Sequence, residues 1–90
     1  MHELKELRSQ INNIDQELVK LIEMRLDIAI KIAKYKKRYN IKITDQSREA
    51  KVLEQNISYL NNKDYASIIS EITKDIITFS KEVQGNVNNN

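Results

Sequence analysis

The amino-acid sequence predicts an all-α protein with three helices, one long, one short and one of medium length. The chain has 90 residues, no proline and a single glycine, Gly85, so very little interrupts a helix. Apolar residues recur at alternating steps of three and four, the spacing of one helix face. No apolar run approaches the ~20 residues of a membrane span, and no hydrophobic leader with a basic start is visible. We therefore expect a soluble, cytoplasmic protein.

The first helix is predicted from about Leu4 to about Arg38, and one apolar face, called the seam below, runs along it. The seam residues are Leu4, Leu7, Ile11, Ile14, Leu18, Leu21, Ile28, Ile32 and Tyr35, with Arg25 as the one interruption. A helix of this length spans ~50 Å, whereas a compact domain of this size is roughly 30 Å across. Because a monomer cannot cover such a seam, we predict a homodimer in which the two long helices pack together.

The second helix follows a connection predicted at residues 39–44, where the apolar repeat stops and β-branched residues collect. Thr44 or Asp45 is expected to cap the helix, because a short side-chain oxygen satisfies free N–H groups of the first turn. The helix should run from about Gln46 to about Tyr59. Its apolar positions are Val52, Leu53, Ile57 and Leu60.

The third helix is predicted after a polar turn at residues 61–64, with Asp64 as its cap. Its apolar stripe consists of Tyr65, Ile69, Ile72, Ile76, Phe79 and Val83. Gly85 is expected to end the helix, since glycine readily takes the left-handed conformation found after helix ends. Residues 1–85 would then form one helical domain, and residues 86–90 a polar, disordered tail.

Composition excludes several kinds of site. The 15 Lys and Arg residues against 13 Asp and Glu give a net charge of +2, which indicates neither a polyanion binder nor an acidic tail. The chain has no cysteine, and its one histidine, His2, lies at the terminus. Thiolate or imidazole metal sites and Cys-His or Ser-His triads are therefore not expected. Any catalysis must depend on Arg, Lys, carboxylates and amides.

Three basic residues of the first helix are candidates for a binding site. Arg25 and Lys36 are 11 residues apart, so they lie about 20° apart around the helix and ~16 Å apart along it. Their side chains can converge on one small ligand. Arg8 lies ~25 Å before Arg25, too far to reach that ligand from the same chain. In an antiparallel dimer, however, Arg8 could complete the site of the partner.

Polar residues on the other two helices also interrupt the apolar pattern. Asp45, Arg48 and Glu49 open the second helix, whereas Ser80 and Gln84 lie four residues apart on the third. Taken singly, each candidate has an ordinary explanation. Arg25 suits an interhelical ion pair or a register-setting residue as well as a ligand clamp. The others suit helix caps, helix-dipole pairs or exposed polar positions.

Taken together, these residues resemble the all-helical class of chorismate mutases. The run Leu7-Arg8-Ser9-Gln10-Ile11-Asn12-Asn13-Ile14-Asp15, followed by Leu18 and Leu21, is similar to the opening of that family. The likeness continues through Arg25, Ile32-Ala33-Lys34-Tyr35-Lys36, Asp45-Gln46-Ser47-Arg48-Glu49 and Phe79-Ser80-Lys81-Glu82-Val83-Gln84. It covers about residues 3–84, nearly the whole chain.

The resemblance implies an intertwined homodimer with two active sites, each using Arg8 from the partner. The implied reaction is the rearrangement of chorismate to prephenate, on the route to phenylalanine and tyrosine, without a cofactor or metal. By resemblance, Arg25 and the partner's Arg8 bind the two carboxylates of the substrate, and Lys36 and Gln84 donate hydrogen bonds to its ether oxygen. By the same resemblance, Glu49 and the start of the second helix, at Asp45 and Arg48, hold the ring hydroxyl of the substrate. Ser80 would assist at a carboxylate.

Three other functions stay open at this point, one of them a regulatory or detached domain that binds chorismate without converting it. Isochorismate pyruvate lyases share the helical fold and the cationic clamp, and their substrate is an isomer of chorismate. A non-catalytic helical dimerisation or binding module would instead use the basic run at residues 34–42, with a salt-sensitive affinity if it bound nucleic acid. That alternative leaves Arg25, Ser80 and Gln84 unexplained.

Overall fold

The computed structural model describes residues 2–88, and all of its regular structure is helical. Helix α1 spans His2–Arg38, α2 spans Gln46–Ser58 and α3 spans Ala66–Asn88, with a 3-10 helix at Lys63–Tyr65 before α3. The prediction of three helices, long, short and medium, is confirmed for this part of the chain. None of the described helices is long and apolar enough to cross a membrane.

Helix α1 determines the shape of the protomer. Its 37 residues extend along the longest dimension, which is 56 Å against 27 and 14 Å in the other directions. The radius of gyration is 16.5 Å, well above the ~12 Å expected for a compact chain of this length. The described chain is therefore elongated, as the length of its first helix predicts.

The apolar core is small and lies in the C-terminal half of α1. Ala29 and Ala33 are the buried apolar residues, and they lie where α1 packs against α3. By contrast, every residue of the seam is exposed, from Leu4 at 42% to Ile14 at 64%. The described protomer leaves the whole seam in contact with solvent, which is an apolar surface larger than monomeric proteins usually expose.

Helix α1 ends in a Schellman motif that the sequence analysis did not predict. Asn40 has φ = 57°, the left-handed conformation that asparagine tolerates better than most residues. The Ile41 amide then donates to the Lys36 carbonyl at 2.8 Å, and the Asn40 amide donates to the Lys37 carbonyl at 3.4 Å. This reversal brings the connection back over the last turn of α1, beside Lys36.

The caps of the next two helical segments agree only in part with prediction. Asp45 caps α2, as expected, because its Oδ1 accepts from the Arg48 amide at 3.0 Å. The prediction that Asp64 caps the third helix is wrong. Asn62 is the capping residue, and its Oδ1 accepts from the Asp64 amide at 3.0 Å, so Asp64 lies inside the 3-10 turn.

Helix α3 is longer than predicted. It continues through Gly85 to Asn88, so the expected helix end at Gly85 is wrong, and the first three residues of the predicted tail are helical. Gly85 does not adopt a positive φ. Glycine permits the left-handed turn that ends a helix but does not impose it. Asn89 and Asn90 lie outside the described residues.

The inward face of α3 is more polar than the predicted stripe. Thr73, Ser80 and Gln84 are its buried side chains, and the Asn56 Nδ2 of α2 donates to the Thr73 Oγ1 at 3.1 Å. Half of the predicted stripe faces solvent, with Tyr65, Ile72 and Phe79 48–57% exposed. The stripe is thus divided between two faces, because one side packs within the protomer and the other does not.

Candidate active site

A cavity of about 300 Å³ lies among the three helices and the connection between α1 and α2. Seven of the eight site residues predicted from the sequence line it. They are Arg25 and Lys36 of α1, the α2 cap Asp45, Arg48 and Glu49 of α2, and Ser80 and Gln84 of α3. A cavity of this size is at the lower end of the range for small-molecule sites.

Arg25 and Ser80 form one wall of the cavity, where α1 meets α3. The Arg25 Nη1 donates to the Ser80 Oγ at 2.7 Å, and Ser80 is 7% exposed. This contact uses one guanidinium N–H and fixes the direction of the group, leaving other N–H donors for a planar anion. Arg25 is exposed in the single protomer.

Lys36 enters the cavity at the other end of this face. Its Nζ donates to the Ile43 carbonyl at 3.0 Å, and the side chain is half-buried. The Schellman motif makes this contact possible, because it turns the connection back towards α1. An ammonium group has three N–H donors, so the contact with Ile43 both places the charge and leaves donors for a ligand.

Gln84 is held by the backbone of α1. Its Nε2 donates to the Ala29 carbonyl at 3.1 Å, and the residue is 8% exposed. A carbonyl can only accept, so the amide must present nitrogen to it, which fixes the orientation of the side chain. One N–H of the amide is occupied by Ala29, and the second N–H is available to an acceptor in the cavity.

The α2 side of the cavity carries both signs of charge. Asp45 is occupied as the helix cap, and Arg48 and Glu49 follow in the first turn. The Glu49 carboxylate pairs with Lys81 of α3, whose Nζ lies 3.4 Å from Oε1 and 3.5 Å from Oε2. This ion pair links α2 and α3 beside the cavity.

The cavity as a whole suits a small dianion. Its lining has four cationic side chains and two carboxylates, a surplus of two positive charges. Apolar side chains complete the walls: Ile28, Ala29, Ile32, Ile43, Val52 and Ile77. Low-polarity walls strengthen the attraction between fixed cations and an anion that enters. The described residues can thus bind and orient a dicarboxylate through donors and positive charge.

Arg8 is the one predicted site residue that the protomer does not bring to the cavity. It is exposed on the first turns of α1, ~25 Å from Arg25 along the helix axis. The distance predicted from helix geometry therefore applies in the folded chain, since α1 is continuous from His2 to Arg38.

Comparison with known proteins assigns the family. The family model described as chorismate mutase type II matches residues 7–85, which includes every residue named above for the cavity. The chain belongs to the chorismate mutase type II family. This confirms the family that the sequence motifs predict, and it explains why polar residues on three separate helices lie in register.

Curated relatives match this chain over a part of their own, longer sequences. A bifunctional chorismate mutase/prephenate dehydratase of Aquifex aeolicus is 35% identical over 71 residues, which cover 79% of this chain and 19% of that protein. The T-protein of Haemophilus influenzae is 29% identical over 89 residues, or 98% of this chain and 23% of that protein. A bifunctional chorismate mutase/prephenate dehydratase of Buchnera aphidicola is 43% identical over 56 residues, which cover 62% of this chain and 14% of that protein.

This chorismate mutase type II chain thus spans about a fifth of the length of the curated relatives that it matches. No solved structure matches it.

Lys81 is the charged lining residue that the sequence analysis missed. It stands between Ser80 and Gln84 in a matched motif but was given no role. Helical spacing could have identified it, because residues 77, 80, 81 and 84 share one face of α3. In this member of the chorismate mutase type II family, that face lines the cavity.

Proposed function

We propose that this protein is a chorismate mutase, which converts chorismate to prephenate on the route to phenylalanine and tyrosine. One observation carries the proposal: seven polar residues from the matched motifs line a single cavity with two surplus positive charges. Chorismate is a dianion of two carboxylates, so its charge complements this lining. Membership of the chorismate mutase type II family supports the same activity.

The reaction is an intramolecular rearrangement, and this explains why the site needs no nucleophile. An ether C–O bond breaks while a C–C bond forms at the other end of the same molecule, and no proton is transferred. The protein must hold the substrate in a compact conformation with the reacting carbons close together, which is the positioning part of catalysis. Arg25 binds one carboxylate in our proposal, and its contact with Ser80 keeps the guanidinium plane fixed.

Lys36 and Gln84 stabilise the transition state in this proposal. As the C–O bond breaks, negative charge develops on the ether oxygen. The Lys36 ammonium and the free N–H of Gln84 would donate to that oxygen, and both groups are already anchored, to Ile43 and Ala29 respectively. Anchored donors need no reorganisation during the reaction, and one such donor is worth ~3–4 kcal/mol. Glu49, beside Asp45 and Arg48, would accept from the ring hydroxyl.

We also propose a homodimer in which the partner's Arg8 binds the second carboxylate. Two observations support it. The seam is exposed along the whole of α1, and the exposed residues of α3, Ile72 and Phe79 among them, provide a second apolar face. Arg8 lies too far along α1 to reach the cavity of its own protomer, but packing of two long helices in opposite directions would bring it to the other cavity. A cytoplasmic location stays a prediction from the sequence.

The dimer predicts a large effect of a charge on the seam. We expect Ile14→Glu to convert the protein to monomers and to reduce the rate of prephenate formation at least ~10²-fold, because a carboxylate would be buried without a partner. Analytical ultracentrifugation measures the dissociation into monomers, and an assay of prephenate formation measures the loss of rate. The matched control is Gln16→Glu, which adds the same charge ~160° around the helix and should leave both unchanged. A dimeric, active Ile14→Glu protein would contradict this arrangement.

The amide of Gln84 predicts a rate that is nearly independent of pH between about pH 5 and pH 7.5, since an amide does not titrate in this range. The Gln84→Glu variant is the comparison. A carboxyl group donates only when protonated, and its ordinary pKa is about 4.3, so the variant should lose activity as pH rises, by up to about tenfold per pH unit. The rates of wild type and of Gln84→Glu, measured from pH 4.5 to 7.5, test both expectations. A wild-type rate that collapses over this range would exclude the proposed donor.

The product of the reaction tests the proposed function. Purified protein is incubated separately with chorismate and with isochorismate, and prephenate, salicylate and pyruvate are quantified. We expect prephenate from chorismate as the main reaction. Salicylate and pyruvate from isochorismate at a higher kcat/KM would instead identify a lyase. If neither substrate reacts with folded protein, the proposal is wrong.

A further inference from the structure

We propose that Lys81 is a positioning residue that neutralises Glu49 and directs its carboxylate into the cavity, so that the site accepts a dianion carrying a hydroxyl group. This inference rests on the function proposed above. It concerns a residue that lies beside Ser80 on the inner face of α3 and lines the cavity.

The Lys81–Glu49 pair differs from the other ion pairs of residues 2–88. Lys20–Glu17 and Lys74–Glu71 are three residues apart on one helix, with side chains 55–73% exposed. Lys81–Glu49 joins two helices, and its side chains are 37% and 28% exposed. A pair within one exposed helix turn needs no function beyond weak local stabilisation. The interhelical pair instead keeps a cation beside a carboxylate at the wall of a binding cavity.

Charge explains why Glu49 needs this partner. An ionised carboxylate beside a dianionic ligand repels it, yet a carboxylate is the better acceptor for a ring hydroxyl. Without Lys81 the lining would have three cations and two carboxylates, one surplus positive charge against the two negative charges of the substrate. Lys81 restores a surplus of two. The lysine therefore keeps Glu49 as an acceptor while offsetting its repulsion.

Geometry leaves Glu49 free to accept a second hydrogen bond. The Lys81 Nζ lies almost equally far from Oε1 and Oε2, at 3.4 and 3.5 Å. Two ionised oxygens provide about four acceptor sites, so an ammonium placed between them leaves acceptor sites on both. These distances are long for a charged hydrogen bond, which allows the carboxylate to adjust to a ligand while it stays neutralised.

The test combines Lys81→Met, Lys81→Arg, Glu49→Gln and the double variant Glu49→Gln with Lys81→Met. We measure KM and kcat for chorismate, and the Kd of prephenate by titration calorimetry, because prephenate is the product of the proposed reaction and a dianion that retains the hydroxyl. Because the pair is partly exposed, Lys81→Met should raise KM and Kd only ~5-fold, with kcat changed less than about twofold. Lys81→Arg should restore both constants to within about twofold of wild type.

The Glu49→Gln background decides how Lys81 acts. If Lys81 works through Glu49, removing it after the carboxylate is gone should change KM and Kd by less than about twofold, since coupled residues are non-additive. A full ~5-fold effect in that background would overturn the proposal and show that Lys81 contacts the ligand directly. Equal losses in Lys81→Arg and Lys81→Met, or unchanged constants in both, would also overturn it.

These outcomes separate the inference from the proposed function. If wild type binds prephenate but does not convert chorismate, the function is wrong and the Kd ratios still test Lys81. If wild type converts chorismate and the ratios fail, only the role of Lys81 is wrong. If wild type neither converts chorismate nor binds prephenate, both the function and the role of Lys81 are wrong.

Discussion

Replacing Lys36 with alanine is expected to reduce kcat for chorismate conversion by ~10²–10³-fold, the usual cost of losing one anchored donor to a developing anion. The contact with Ile43 places the ammonium in the cavity before substrate binds. KM should change less than kcat, because the charge on the ether oxygen develops only in the transition state. Steady-state kinetics on the purified variant measure both constants.

Lys34→Ala is the matched control for Lys36→Ala. It removes the same charge two residues away, from a side chain that does not line the cavity. We expect its kcat to stay within about twofold of wild type, since a screened surface charge contributes little. Thermal unfolding of both variants shows whether the fold is retained. A Lys36→Ala protein with the full rate would exclude the proposed role of Lys36 at the ether oxygen.

Mixing two inactive variants is expected to restore activity. Arg8→Ala and Arg25→Ala should each lose ~10²–10³-fold in kcat/KM, because each leaves one carboxylate of the bound dianion without its cation. In a mixed dimer, the protomer that keeps Arg25 receives an intact Arg8 from its partner, so one site is complete. If protomers exchange at random, half of the dimers are mixed and about a quarter of the wild-type rate should return.

The control for this mixture is Arg25→Ala with Lys36→Ala. Arg25 and Lys36 line the cavity of their own protomer. Each protomer of a mixed dimer therefore has one changed residue in its own cavity, so neither site is complete and no activity should return. Exchange of protomers is verified by mass spectrometry of differently tagged chains. Verified Arg8→Ala and Arg25→Ala heterodimers without recovered activity would show that the site is not shared between protomers.

Helix positions could be predicted where the chain has an uninterrupted pattern. The apolar repeat predicts α1 to within about two residues, because no proline or glycine lies within it. Failures occurred where one residue type allows two conformations. Gly85 stays helical, Asn40 takes the left-handed turn expected of glycine, and Asn62 caps the segment assigned to Asp64. Local sequence does not decide such positions, because packing and neighbouring hydrogen bonds select among conformations of similar energy.

The site could be predicted as far as its residues follow helix geometry and the family motifs. Arg25 and Lys36 line one cavity, as their spacing requires. The anchors were not predictable, because Ser80, Ala29 and Ile43 meet these side chains only through tertiary packing. The contact of Lys81 with Glu49 was not predictable for the same reason, because Glu49 is 32 residues away in the chain, although helical spacing places Lys81 on the face of Ser80 and Gln84. The part assigned to Arg8 depends on a partner and stays a proposal.

The position of a bound transition-state mimic shows whether the cavity is the active site of a chorismate mutase. We would determine a crystal structure of the protein with a stable bicyclic ether dicarboxylate. We expect one ligand in each cavity, with its carboxylates on Arg25 and the partner's Arg8 and its ether oxygen within ~3 Å of donors from Lys36 and Gln84. A ligand bound outside this cavity, or inside it with no contact to Lys36 or Gln84, would exclude the proposed site.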